Sequence, residues 1–116
     1  MKGRNVSSRE KRYHDSLCQL IGCVACRAEG NFNTHVAVHH TDGRTKPMAH
    51  WLTLPLCGPH HQCQGIPGVI AVHPYKARFE AKYGKQEELI AQCAAILIEQ
   101  GVDVPEELTE WLGVSA

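Results

Sequence analysis

The amino-acid sequence predicts a mostly helical α+β domain, with one small β-hairpin followed by a helix and a helical C-terminal part. Three observations lead there. Two short apolar runs, at 35–40 and 51–56, flank a loop marked by Asp42-Gly43 and Pro47, the pattern of a hairpin. From Tyr75 onward the apolar residues recur at helical spacing. Between residues 23 and 73 lie most of the chain's 6 cysteines and 8 histidines, which marks the hairpin region as its chemical centre.

Taken in order, Ser7 with Glu10 three residues on forms a capping box. The helix it opens is expected to run to about Leu20, with Tyr13, Leu17 and Leu20 on one side, and Gly22 stops it. Cys23-Val24-Ala25-Cys26 and the polar residues after it read as a turn-rich knuckle. His35 to His40 is the first strand, and residues 41–47 are a loop. Trp51 to Leu56 is the second strand, with Pro55 suiting an edge. A helix is expected from Cys57 or Gly58 to about Gly65. Pro74 suits the first turn of the next helix, which ends at Gly84. Gln86 to Gln100 is the clearest helix, with Leu89, Ile90, Cys93, Ile96 and Leu97 on one face. Pro105 to Leu112 is a last short helix.

A chain of 116 residues with 43% hydrophobic residues is one domain with a small core, which bound metal would help to hold. Aromatic residues are only 6%, which argues against a site built on stacked bases. No apolar run is long enough to span a membrane. The start, Met1-Lys2-Gly3-Arg4, leads into polar residues rather than an apolar stretch, so the expected location is cytoplasmic. Cysteines in that setting point to metal rather than disulfides. Residues 1–12 carry a net +4, residues 13–83 a net +2 and residues 84–116 a net −6. The expected organisation is a basic flexible arm, 1–12, and a single domain, 13–116, whose part 84–116 is helical. A nucleic-acid contact would belong to the front and middle.

Cys23-x-x-Cys26 brings two thiolates together in a tight turn. Cys57-x-x-His60, three apart on one helix face, completes a tetrahedral zinc set, with Cys63 an alternative to His60. The pattern lacks the second histidine of a DNA-reading finger, the His-x-Glu of a base deaminase and the βαβ setting of a redox pair. Adjacent side chains diverge on a strand and on a helix. The doublets His39-His40 and His60-His61 are therefore suited to two jobs each. His39 and His61 could meet at a second ion, joined by His73, and leave His40 beside it as a general base. Such a site keeps positions for water and a phosphate oxygen. Arg44 and Lys46 in the adjacent loop would hold the phosphate backbone.

Val38-His39-His40 followed by Leu54-Pro55-Leu56-Cys57-x-x-His60-His61, after Cys23-x-x-Cys26, resembles the HNH (ββα-metal) nuclease superfamily. The wider pattern runs from Gly22-Cys23-Val24-Ala25-Cys26 through His39-His40-Thr41-Asp42-Gly43-Arg44 to His73-Pro74-Tyr75-Lys76, with Phe79-Glu80 and Tyr83-Gly84. It resembles the phage recombination enhancement function proteins, which are RecA-dependent HNH endonucleases. The resemblance covers about residues 20–90. It implies hydrolysis of DNA phosphodiester bonds, with His40 as general base and His39, His61 and His73 around a second divalent metal (Mg, Mn or Zn). It places Cys23, Cys26, Cys57 and His60 on structural zinc (Zn), and implies DNA and a RecA filament as partners, with no membrane. Arg44, Lys46 and Lys76 are the expected DNA contacts. His61 stands where many HNH enzymes have asparagine, which favours zinc, manganese or nickel. The basic start is short beside the long N-terminal extension such proteins can carry, so DNA binding is expected to be weak or to depend on the filament. The rival reading from another class is a non-catalytic zinc-binding module for DNA or protein interaction.

Overall fold

The computed structural model describes residues 5–113, so the first four residues of the expected basic arm and the last three of the chain lie outside it. The first helix, α1 (Ser8–Ser16), opens on the capping box read from the sequence. The Glu10 amide donates to Ser7 Oγ at 3.2 Å, and the Ser7 amide donates to Glu10 Oε1 at 2.8 Å. Residues 8–12, which the charge pattern assigned to a flexible arm, are thus the first part of a helix. Arg9 in it reaches Glu107 at 3.0 Å.

The expected continuation of α1 to Leu20 is corrected. Residues Leu17–Ile21 form a π-helical turn, closed by the Gly22 amide donating to the Leu17 carbonyl at 3.1 Å. A π turn accommodates one residue more than an α turn. The buried stripe therefore passes from Tyr13 and Leu17 to Ile21, and Leu20 is left 39% exposed. The knuckle is also more regular than expected, because Val24–Ala28 forms a short helix, α2, with Cys23 as its N-cap.

Strands β1 (Val36–His40) and β2 (Thr53–Cys57) pair antiparallel, with Val38 opposite Pro55, His39 opposite Leu54 and His40 opposite Thr53. Each begins one or two residues later than the sequence suggested. Pro55 is accommodated because the described sheet has only two strands, so each has a free edge. Every residue of β2 is buried, whereas β1 is covered only in part. The hairpin is followed by α3 (Gly58–His61), a single turn rather than the helix to Gly65 that was expected. Residues 62–68 are an exposed excursion.

Helix α4 (Lys76–Tyr83) begins after Pro74, with Tyr75 at its N-cap, so Pro74 lies outside its first turn. Helices α5 (Gln86–Glu99) and α6 (Glu106–Leu112) fall where the periodicity put them. Leu89, Ile90, Cys93, Ala94 and Leu97 of α5 are buried and join Leu17, Ile21, Leu54, Leu56, Phe79 and Leu108 in one core. That core holds β2 from behind and leaves the His39–His40 end of the hairpin facing a cleft. Cys93 lies in the core, and Cys18 is partly buried. No described helix is long and apolar enough to cross a membrane.

Gly22 links the π turn to the knuckle at φ +70°, and a Cβ there would come within 2.5 Å of the Asn33 carbonyl oxygen. That same carbonyl accepts from the Cys23 amide at 2.8 Å, so it has no room to retreat. Gly22→Ala is expected to lower stability by about 1–3 kcal/mol for the backbone conformation alone, with the clash in addition. A urea melt of the variant against the parent checks this.

Candidate functional site

Cys57 caps α3, and His60 lies three residues on, so both side chains leave the same side of the turn. Cys23 and Cys26 reach them from the start of α2. Sγ of the three cysteines and a ring nitrogen of His60 all lie within 4.8 Å of one another. His60 Nδ1 stands 3.6 Å from Cys23 Sγ, 3.6 Å from Cys26 Sγ and 3.1 Å from Cys57 Sγ, and Cys26 Sγ is 3.8 Å from Cys57 Sγ. Tetrahedral zinc with ordinary Zn–S and Zn–N bonds requires about 3.8 Å between sulfurs and about 3.6 Å between sulfur and nitrogen. The group therefore fits such an ion, with only the Cys57–His60 pair a little tight. Of the two candidates for the fourth position, His60 is in the group and Cys63 is an exposed free thiol.

Supporting contacts surround the tetrad. The Cys26 amide and the Asn33 side-chain amide donate to sulfur, at 3.5 Å to Cys23 Sγ and 3.7 Å to Cys26 Sγ. Burial pushes the thiols of Cys23, Cys26 and Cys57 above the ordinary cysteine value, so their thiolates call for a cation. The other ring nitrogen of His60 faces Tyr83 Oη at 3.4 Å and Glu29 Oε1 at 3.6 Å. Tyr83 in turn donates to Glu29 at 2.9 Å, and Lys82 pairs with the same carboxylate at 3.2 Å. A carboxylate behind the outer nitrogen keeps Nδ1 as the ligand atom, as at many metal-bound histidines.

Adjacent positions on a helix are about 100° apart, so His61 turns away from the tetrad. It meets His39 from β1, with ring centroids 5.0 Å apart, and His73, at 5.5 Å. Ligand nitrogens of His39, His61 and His73 lie within 4.8 Å of one another. No local spacing ties His73 to His61, but the structure supplies the tie in the backbone. The chain at 72–73 runs parallel to 60–63, with the Val72 amide donating to the His60 carbonyl at 2.9 Å and the His73 amide to the His61 carbonyl at 3.1 Å. The Cys63 amide returns a bond to the His73 carbonyl at 2.9 Å. His39 Nε2–H donates to Gln86 Oε1 at 2.8 Å, which leaves Nδ1 as the nitrogen that could serve as a ligand.

The two groups differ in access. The tetrad is largely buried, whereas the triad passes from buried His39 to half-buried His61 and exposed His73. It opens on a cleft of about 430 Å³ lined by Val38, His39, His40, Gly43, Arg44, Thr45, His61 and His73. Burial lowers both His39 and His40 to a pKa of about 4, and Arg44 adds to the effect at His40. Among the cations expected to meet DNA, Arg44 lines this cleft. Lys46 pairs with Asp42 at 3.0 Å, and Lys76 lines a neighbouring hollow with Glu80 and Gln86. Trp51 is buried, edge-on to Tyr13 at 5.7 Å, while Tyr75 is exposed beside Arg78.

Sequence reasoning missed Glu29, Gln86 and two further histidines, and named Tyr83 within the wider pattern without giving it a role. His50, from the loop between the strands, places Nδ1 2.9 Å from His40 Nε2, and His14 of α1 donates to the His50 carbonyl at 2.6 Å. None of these stands at a ligand spacing, and only the unusual number of histidines hinted at them.

Fold and clusters together define a small α+β protein with one closed and one open Cys/His group, each shaped to hold a metal ion. The chain belongs to the family described as recombination enhancement, RecA-dependent nuclease, whose model matches residues 6–98. The match runs from the cap of α1 almost to the end of α5 and takes in both groups.

The closed tetrad generates a direct test. Structural zinc binding is worth on the order of 10 kcal/mol, comparable with the whole stability of a domain. With zinc on the tetrad, Cys23→Ser is expected to bind no structural ion and to lose the cooperative thermal transition, whereas Cys63→Ser keeps both. Metal analysis and melting of the two variants check the assignment.

Proposed function

We propose that the protein is a metal-dependent endonuclease of the phage-type HNH (ββα-metal) class, hydrolysing phosphodiester bonds of DNA presented by a RecA filament. The observation that carries this reading is the meeting of His39, His61 and His73 on a cleft that also presents His40 and Arg44. The family's name agrees with it.

The roles follow from position. Cys23, Cys26, Cys57 and His60 hold structural zinc and so fix α3. His39, His61 and His73 hold the second ion. A divalent metal bound there stabilises charge on the phosphate and on the departing oxygen. His40 lies next to that triad without belonging to it and takes the proton of the attacking water. The new O–P bond forms as the bridging P–O bond breaks, the proton passes to the imidazole, and the departing oxygen leaves with the cut strand end. Arg44 holds the phosphate from the cleft wall, and Lys46 and Lys76 meet flanking phosphates.

His40→Ala is expected to lower DNA cleavage by about 10²–10⁴-fold, with zinc content and melting unchanged. Cleavage assays with and without RecA filaments, in Mg²⁺ and in Mn²⁺, read this out. A variant that still cuts at the parent rate would remove His40 as base. A zinc-loaded parent that binds DNA yet never cuts it would leave the non-catalytic zinc module. Arg44→Ala is expected to reduce the log–log salt slope of DNA binding by about 0.9, the share of one phosphate contact.

A further inference from the structure

We infer that His50 is the positioning residue for His40, holding its ring and selecting its tautomer; the inference rests on His40 as the base. His50 lies in the loop between β1 and β2 and is 2% exposed. Its Nδ1 stands 2.9 Å from His40 Nε2, and the two rings meet nearly at right angles, 5.0 Å between centroids.

A neutral imidazole carries one donor nitrogen and one acceptor nitrogen. The contact between the rings thus has two forms. If His50 Nδ1 accepts, His40 keeps its hydrogen on Nε2, and the lone pair falls on Nδ1. If His50 Nδ1 donates, the hydrogen of His40 moves to Nδ1. The surroundings of His40 favour one of them. Its Nδ1 is buried and has no hydrogen-bond partner among the described residues. A buried N–H with no acceptor is the rarer and costlier kind of orphan, so the accepting form of His50 is favoured. That form keeps a lone pair, and not a hydrogen, on Nδ1, the one nitrogen of the His40 ring that no described residue engages.

His50 is itself anchored. His14 of α1 donates its Nε2–H to the His50 carbonyl at 2.6 Å, and Trp51, the next residue, packs edge-on against Tyr13 of the same helix. The loop is also closed at its ends by the Thr41 amide and hydroxyl, which both donate to the Leu52 carbonyl, at 3.1 and 3.0 Å. His50 therefore reaches His40 from a braced segment. The arrangement is that of a base oriented by a third group, here a second imidazole rather than a carboxylate.

Two substitutions test the role. His50→Leu removes the acceptor, while His50→Asn keeps a side-chain acceptor near the position of Nδ1. With RecA-bound DNA and a single turnover, His50→Leu is expected to cut about 10–100-fold more slowly, the usual cost of losing such a supporting group. His50→Asn should come within a few-fold of the parent. DNA affinity and zinc content should be unchanged in both, so the loss appears in the rate and not in binding. The inference falls if His50→Leu, folded and zinc-loaded, cuts at the parent rate while His40→Ala is inactive. It falls equally if His50→Asn is as slow as His50→Leu. Should the leucine variant fail to fold, ring-nitrogen NMR of the zinc-loaded parent decides, with an Nε2–H tautomer of His40 expected and an Nδ1–H tautomer contrary. If His40→Ala keeps full cleavage, the base assignment is lost instead, and the spectrum still reports the contact.

Discussion

His60 and His61 are neighbours on a helix of one turn, and their rings point to different clusters. A turn this short does not persist by its own hydrogen bonds, because nucleation costs more than four residues return. Cys57 at its cap and His60 within it gather with Cys23 and Cys26, so the turn is braced from outside itself. The carbonyls of the same two histidines then receive the amides of Val72 and His73, so the third imidazole of the open group is placed by the backbone of α3. The closed and the open group are thus joined through a single turn of four residues. A small chain with one hydrophobic centre has few other means of holding polar groups rigidly against water.

The electrostatics suit a protein that does not seek DNA alone. Net charge is zero, and several cations are already engaged: Arg9 with Glu107, Lys46 with Asp42 and Lys82 with Glu29. Exposed pairs of this kind add little stability, but they lower the positive potential offered to a phosphate backbone. Arg44, in the cleft, stands out by its place beside the imidazoles. Membership of a family named for dependence on RecA is in keeping with such a surface.

What could be read from the sequence was what local spacing encodes. Cys23 and Cys26, Cys57 and His60, and the divergence of each histidine doublet all follow from the geometry of one turn or one strand. The helical stripe of α5 was equally plain. The misreadings have a common cause in tertiary structure. The π turn at Leu17–Ile21 shifts the buried stripe by one residue to place Ile21 in the core. Helix α3 stops at His61, four residues before the glycine expected to end it, where the chain turns out into residues 62–68. Gln86, Glu29 and the His14–His50 pair act across separations of many residues, and no periodicity announces a contact made between distant segments. Placing His73 beside His61 needed the same long-range information, although the motif had already named it.

The exposed excursion at 62–68 leaves and re-enters the fold between points fixed by the Cys63–His73 and His61–His73 backbone bonds. Because the entropy of closing a loop rises only slowly with its length, the span between those points is insulated from the chemistry beside it. A change of length there would cost the fold little. The span is the part of this scaffold most able to change without moving the imidazoles beside it.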